Sequence, residues 1–204
     1  SPFMTLATFK RIFPSSLLPP LLETRIFPIF SGGDVCVDLF SLNGPWRRLE
    51  KLNLRENADL LRLQITCKGL TAFKNEQALV VDRVSGDLEI RKGEIHVSGV
   101  NGHFGDSYIE TGGLFLKDLY VDDPHVRVTA SGLFRAEDLM KQTHLTLIPP
   151  EVRTKFHQIE GASGKLDADI NIVYEPGWDF PRIEKGVITL VDFTLDDPDI
   201  PFPV

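Results

Sequence analysis

The stretch Val84–Leu114, VSGDLEIRKGEIHVSGVNGHFGDSYIETGGL, decides the fold. Leu88 and Ile90, then Ile95 and Val97, alternate with Glu89, Arg91, Glu94, His96 and Ser98. A period of two makes a strand with one apolar and one wet face. Arg91-Lys92-Gly93 separates the two pairs as a short glycine-containing hairpin turn does. Gly99, Gly102, Gly105 and Gly112-Gly113 then read as turns or bulges. The expectation is a run of short antiparallel strands sharing one apolar face. No catalytic motif lies inside the stretch, which points to a surface rather than a reaction centre.

The same alternation extends outward in both directions. Upstream, Val35, Val37 and Leu39 alternate with Cys36, Asp38 and Phe40 before the turn cluster Asn43-Gly44-Pro45. Leu49, Leu52 and Leu54 lead to a break at Asn57-Ala58-Asp59, and Leu61, Leu63 and Ile65 form the next run. Residues 69–77 read as a loop or bulged strand. Downstream, Asp122-Asp123-Pro124 is a turn, and Val126, Val128 and Ala130 alternate with Arg127, Thr129 and Ser131. Leu145 and Leu147 read as a brief strand, and Leu166, Ala168, Ile170 and Ile172 alternate again. Residues 183–195 read as two strands around Lys185-Gly186.

Helices are few in this reading. Phe13–Phe30 is the early candidate, with Pro19-Pro20 suited to a first turn, Leu21, Leu22, Ile26 and Phe27 on one side and Gly32-Gly33 as a stop. It lacks a Lys/Arg-rich polar face, so it fits a helix plugging one end of a sheet better than one lying on a membrane. Short helices are expected at residues 135–142, acidic early and basic late, and at 149–159, with proline at the start and Gly161 after the end. The predicted organisation is one mainly β segment spanning residues 1–204. A helical lead-in at 1–32 precedes an elongated, curved antiparallel sheet over 33–204, trough-like and built of repeated hairpins. Strand-like runs opening at Gly33, Gly93 and Gly186 form a weak repeat without a fixed period.

Composition excludes some functions. The 204 residues carry a net charge of −7, which disfavours sequence-independent binding of nucleic acid. A hydrophobic share of 42% and a charged share of 25% are those of a chain able to fold around a core. Fourteen Phe against 2 Trp and 3 Tyr suit core packing, or a greasy face that meets something apolar. No run of about 18 apolar residues and no signal-peptide pattern occurs, so no membrane-spanning helix is expected. Both termini read as the ends of an excerpt from a longer chain. Cys36 and Cys67 have no metal-ligand spacing; they can pair only if their strands are neighbours in an oxidising compartment.

Chemistry-bearing patterns are weak. None of His96, His103, His125, His144 and His157 pairs with another at helical metal spacing, and His96 and His144 fall on polar strand faces. His103, Asp106 and Ser107 lie close in sequence, but triads are assembled by fold geometry and no G-x-S-x-G elbow is present. Asp122-Asp123-Pro124 and Asp196-Asp197-Pro198-Asp199 are ordinary acidic turns without the EF-hand pattern. The glycine-rich run 99–105 joins strand to strand, whereas a phosphate cradle needs a helix N-terminus or a nest. No catalytic residue, metal or cofactor is expected, and the chain reads as a non-enzyme.

Two motif sets carry a resemblance. GDLEIRKGEIHVSGVNGHFGDSYIETGG (86–113), then Ala130-Ser131-Gly132-Leu133-Phe134-Arg135-Ala136-Glu137-Asp138-Leu139 and Gly161-Ala162-Ser163-Gly164-Lys165-Leu166, resemble the AsmA-like family. These are YhdP- and TamB-type bacterial bridge-like lipid transfer proteins, and the likeness runs from Gly33 to the C-terminus. It implies a periplasmic β-trough, anchored to the inner membrane through a segment outside this chain. Such a trough would carry phospholipid or another acyl-chain lipid towards the outer membrane, in outer-membrane biogenesis. The residues expected to face lipid are Leu88, Ile90, Ile95, Val97, Val126, Val128, Ile170 and Ile172. The alternative is a structural or protein-interaction module of the cell envelope whose apolar face is buried as core.

Overall fold

The computed structural model describes residues 2–13, 18–19, 21–75, 78–141 and 161–196. Ten strands form one open, curved, antiparallel sheet, as the alternation predicts. They are β1 (Met4–Thr5), β2 (Phe30–Ser31), β3 (Asp34–Leu42), β4 (Leu61–Asn75), β5 (Ala78–Arg91), β6 (Glu94–Phe104), β7 (Ser107–Lys117), β8 (His125–Arg135), β9 (Gly161–Tyr174) and β10 (Arg182–Asp196). From β3 onward each strand lies beside the next in the chain, giving a meander; β1 adds to the edge at β3, and β2 pairs with β4. Among the described residues, three short α-helices are α1 (Leu6–Ile12), α2 (Trp46–Leu49) and α3 (Ala136–Met140).

The central stretch supplies the second half of β5, all of β6 and most of β7. Arg91 pairs with Glu94 across Lys92 and Gly93, whose φ angles are 53° and 75°. Positive φ at both central residues is what a I′ turn needs, and it matches the twist of the strands. The ladder then lines up two apolar rows across the sheet. Leu63, Ile90, Ile95, Leu116, Val126 and Tyr174 form one; Ile65, Leu88, Val97, Leu114, Val128, Ile172 and Ile183 form the other. Directly paired residues share a face, so these rows are one surface, the inner face of the sheet.

The lead-in covers the first half of that surface, as expected, but through different helices. The helix predicted over Phe13–Phe30 is confined, among the described residues, to a π turn at Leu22–Ile26 running into a 3₁₀ turn at Phe27–Ile29. Pro28 accounts for the shortness, since its ring and missing N–H break a regular ladder. The helix the pattern missed is α1. Thr5 caps it by accepting from the Thr8 N–H at 3.2 Å, and Lys10 and Arg11 sit in its last turn. Lys10 ties α1 to the following segment by donating to the Phe27 and Phe30 carbonyls at 2.6 and 2.7 Å; burial lowers its pKa. Phe9 packs against Phe13 and Phe27, and Leu22 is fully buried.

Other departures have local causes. A bulge at Asp38 makes Val37 pair with Ile65 but Leu39 with Gln64, so beyond it Phe40, not Leu39, joins the inner face. Residues 46–60 hold two short helical pieces joined by a turn rather than a run and a break, with α2 followed by a 3₁₀ turn at Arg55–Leu60. Gly102, Gly112 and Gly113, expected at turns or bulges, lie within strands and flank bulges. Residues 182–196 are one strand, with Lys185-Gly186 beside a bulge; Gly186 pairs with Ile170 and so cannot turn the chain. The short helix near 135–142 is α3. The helix at 149–159 and the strand at Leu145–Leu147 lie outside the described residues.

The two cysteines sit on neighbouring strands yet form no disulfide. Cys36 pairs with Thr66 and Cys67 with Val35, so their side chains leave opposite faces. Burial, then the nearby Asp87 and Asp38 carboxylates, push the Cys67 thiol up to about 11.

Candidate functional site

All eight residues expected to face lipid lie on the inner face, but they divide into two environments. Ile90 and Ile95 are 2% and 1% exposed, sealed in a core with Phe9, Leu22, Leu52 and Leu63. They are unavailable to any ligand while the lead-in is in place. Leu88, Val97 and Val126 are half-buried at the margin of that core. Ile170 and Ile172 are half-buried beyond it, and Val128 is exposed.

The exposed part continues further than the sequence reading reached. Ile183, Ile188 and Leu190 of β10 are each more than half exposed, and their partners Ile172, Ala168 and Leu166 put them on the inner face. Splitting 183–195 into two strands hid this, although the Ile-Thr-Leu alternation at 188–190 carried the signal. The outer face is mostly polar along β4 to β6, with Gln64, Thr66, Asp87, Glu89 and His96. On β10 the distinction lapses, because Val187 and Val191 are exposed on the outer side.

A polar network braces the far edge of the sheet. Gly105, with φ of 61°, starts the two-residue turn between β6 and β7. A Cβ there would overlap the Asp138 carboxylate. Asp138 Oδ2 accepts the Asp106 N–H at 2.8 Å and the Ser107 hydroxyl at 2.9 Å, while Ser107 Oγ accepts the Arg135 N–H at 2.8 Å. Burial raises the Asp138 pKa, but the bonds from Ser107, Asp106 and Lys141 outweigh it and leave the carboxyl below its usual value. Ser107 is therefore engaged in a structural bridge, while the His103 ring packs at a tilt against Tyr108, 5.0 Å between ring centres.

The other candidates are equally bound into structure. Asp123 accepts from the Tyr174 hydroxyl and the Gly177 N–H, both at 2.7 Å, and these bonds lower its pKa. His96 is exposed on the outer face and packs at a tilt against Phe115, 4.7 Å between ring centres; His125 meets Glu175 at 2.9 Å. His144, His157 and Asp197–Asp199 lie outside the described residues. Among the described residues no group of His, Cys, Asp or Glu is placed to hold a metal, and no helix is long and apolar enough to cross a membrane. What the geometry offers is an apolar surface, closed at one end by the lead-in and, among the described residues, exposed towards β10. Comparison with known protein families, curated proteins and solved structures finds no match.

Proposed function

We propose that this chain is a non-enzymatic segment of an envelope lipid conduit, holding acyl chains on the uncovered inner face of β8 to β10. The carrying observation is the continuity of the two apolar rows from a sealed core into exposed surface at Val128, Ile183, Ile188 and Leu190. An acyl chain needs no directional partner, only apolar surface, and each methylene withdrawn from water contributes about 0.8 kcal/mol. A few strands therefore retain a lipid without a headgroup site. Exposed apolar surface of this extent is uncommon without a ligand or partner. The resemblance to the AsmA-like family supports the same reading, with a periplasmic location and transport between inner and outer membrane.

A photo-crosslinking residue at Val128 and, separately, at Thr129 in the full-length protein tests this in cells. These neighbours leave opposite faces of β8. Lipid adducts at Val128 and not at Thr129 are expected. Protein adducts alone at Val128 would overturn the conduit and favour an interaction module with a partner covering the inner face.

A further inference from the structure

We propose that two copies of this chain join edge to edge along β10, each supplying the strand that the other lacks. This concerns the edge of the sheet and not its inner face, and it stands whether or not that face holds lipid. Among the described residues β10 has a neighbouring strand, β9, on one side only. Residues 182–192 are all exposed, with Ile188 and Leu190 open on the inner face and Val187 and Val191 on the outer. A bare strand edge carries a row of backbone N–H and C=O groups that templates another strand. At the opposite edge β1 covers the start of β3, and the bulge at Asp38 interrupts the rest. On β10 the register is unbroken from Lys185 to Val191, between two bulges.

The strand's own sequence selects a second copy as the occupant. Val187-Ile188-Thr189-Leu190-Val191 reads alike in both directions about Thr189. A two-fold contact requires this, since residue i meets j while j meets i. With antiparallel copies centred there, Val187 meets Val191 of the second copy, Ile188 meets Leu190, and Thr189 meets Thr189. Aliphatic and Thr–Thr pairs set directly opposite are favourable. Further out, Lys185 and Asp192 come opposite the uncharged Phe193 and Gly186, and Arg182 and Asp196 at the strand ends carry opposite signs. Recentring on Ile188 would set Glu184 against Asp192, and recentring on Leu190 would set Ile188 against Asp192. A one-residue slip would turn inner residues against outer ones. In the centred register inner meets inner, so the two inner faces run on as one, with a lead-in at each far end.

Sedimentation velocity of the chain over a concentration series is expected to show a monomer–dimer equilibrium. Val187→Glu with Val191→Glu opposes like charges twice across the two-fold and should weaken the dimer at least about tenfold. Both side chains are exposed, so the fold is retained. Cysteine linking under mild copper-phenanthroline oxidation reads the register independently. The natural cysteines give little background, because Cys36 is buried and the Cys67 thiol is pushed up to about 11. Thr189→Cys should form a disulfide-linked dimer, since position 189 meets itself, whereas Val187→Cys, which meets position 191, should not. A monomer at every concentration, assembly beyond two copies, a dimer unchanged by the double variant, or linking of Val187→Cys as readily as Thr189→Cys would each overturn the pairing.

Discussion

At the scale of single residues, the chain spends its buried polar groups on bracing. Asp138 is the clearest case, because it joins two separated sequence motifs, GHFGDS at 102–107 and the Phe134–Leu139 run, into one contact. The sequence displayed both motifs but not their meeting, since a 31-residue separation carries no pattern. Gly105 was legible as a turn from its neighbours; the reason nothing larger fits, the carboxylate beside it, was not. Asp138→Asn should cost about 2 kcal/mol, read as a lower urea midpoint, because it replaces an acceptor that two donors share. The folded pKa lies below the unfolded value of about 4. The carboxylate therefore stabilises the fold above that pH, and its contribution is lost as pH falls through the folded value. The gap between wild type and Asp138→Asn should accordingly close on acidification below about pH 4, whereas a constant gap would mean that the charge is irrelevant. The cysteines illustrate the converse: neighbouring strands were foreseeable, but the one-residue offset that separates the thiols is a matter of register.

At the scale of elements, periodicity identified the strands and failed at their ends and irregularities. The alternation in β5 and β6 is dictated by burial on one face only, so it survives in the sequence. The bulge at Asp38 changes which residues face inward without changing the pattern around it. Lys-Gly turns the chain at 92–93 and not at 185–186, since the same dipeptide is absorbed into the ladder opposite Ile170. The helix α1 is too short for a periodic signal, and only its Thr5 cap and terminal cations announce it. The elements also differ in how firmly they are held. Phe9→Ala removes a fully packed ring that fastens the lead-in to the sheet and should cost about 3 kcal/mol. Val187→Ala on the exposed β10 should stay within about 0.5 kcal/mol. Denaturant titration of both compares the two ends directly; equal losses would mean that β10 is as covered as the lead-in.

At the scale of the whole molecule, the sheet grades from core to surface along one continuous face. Near the lead-in, helices and turns bury it; towards β10 the same rows meet solvent. The mainly β architecture was readable because most of the long strands alternate, whereas the grading depends on where the lead-in settles. Ile90 and Val128 occupy equivalent places in the alternation, and only the packed structure distinguishes a sealed position from an open one. On the proposed reading, the open end is where apolar surface is left for an acyl chain. The most direct measurement is methyl NMR of the chain with a spin-labelled fatty acid. Broadening of Val128, Ile170, Ile183, Ile188 and Leu190 is expected, with Ile90 and Ile95 unaffected. Broadening confined to Val187 and Val191, or no saturable broadening anywhere, would contradict an inner face that holds lipid.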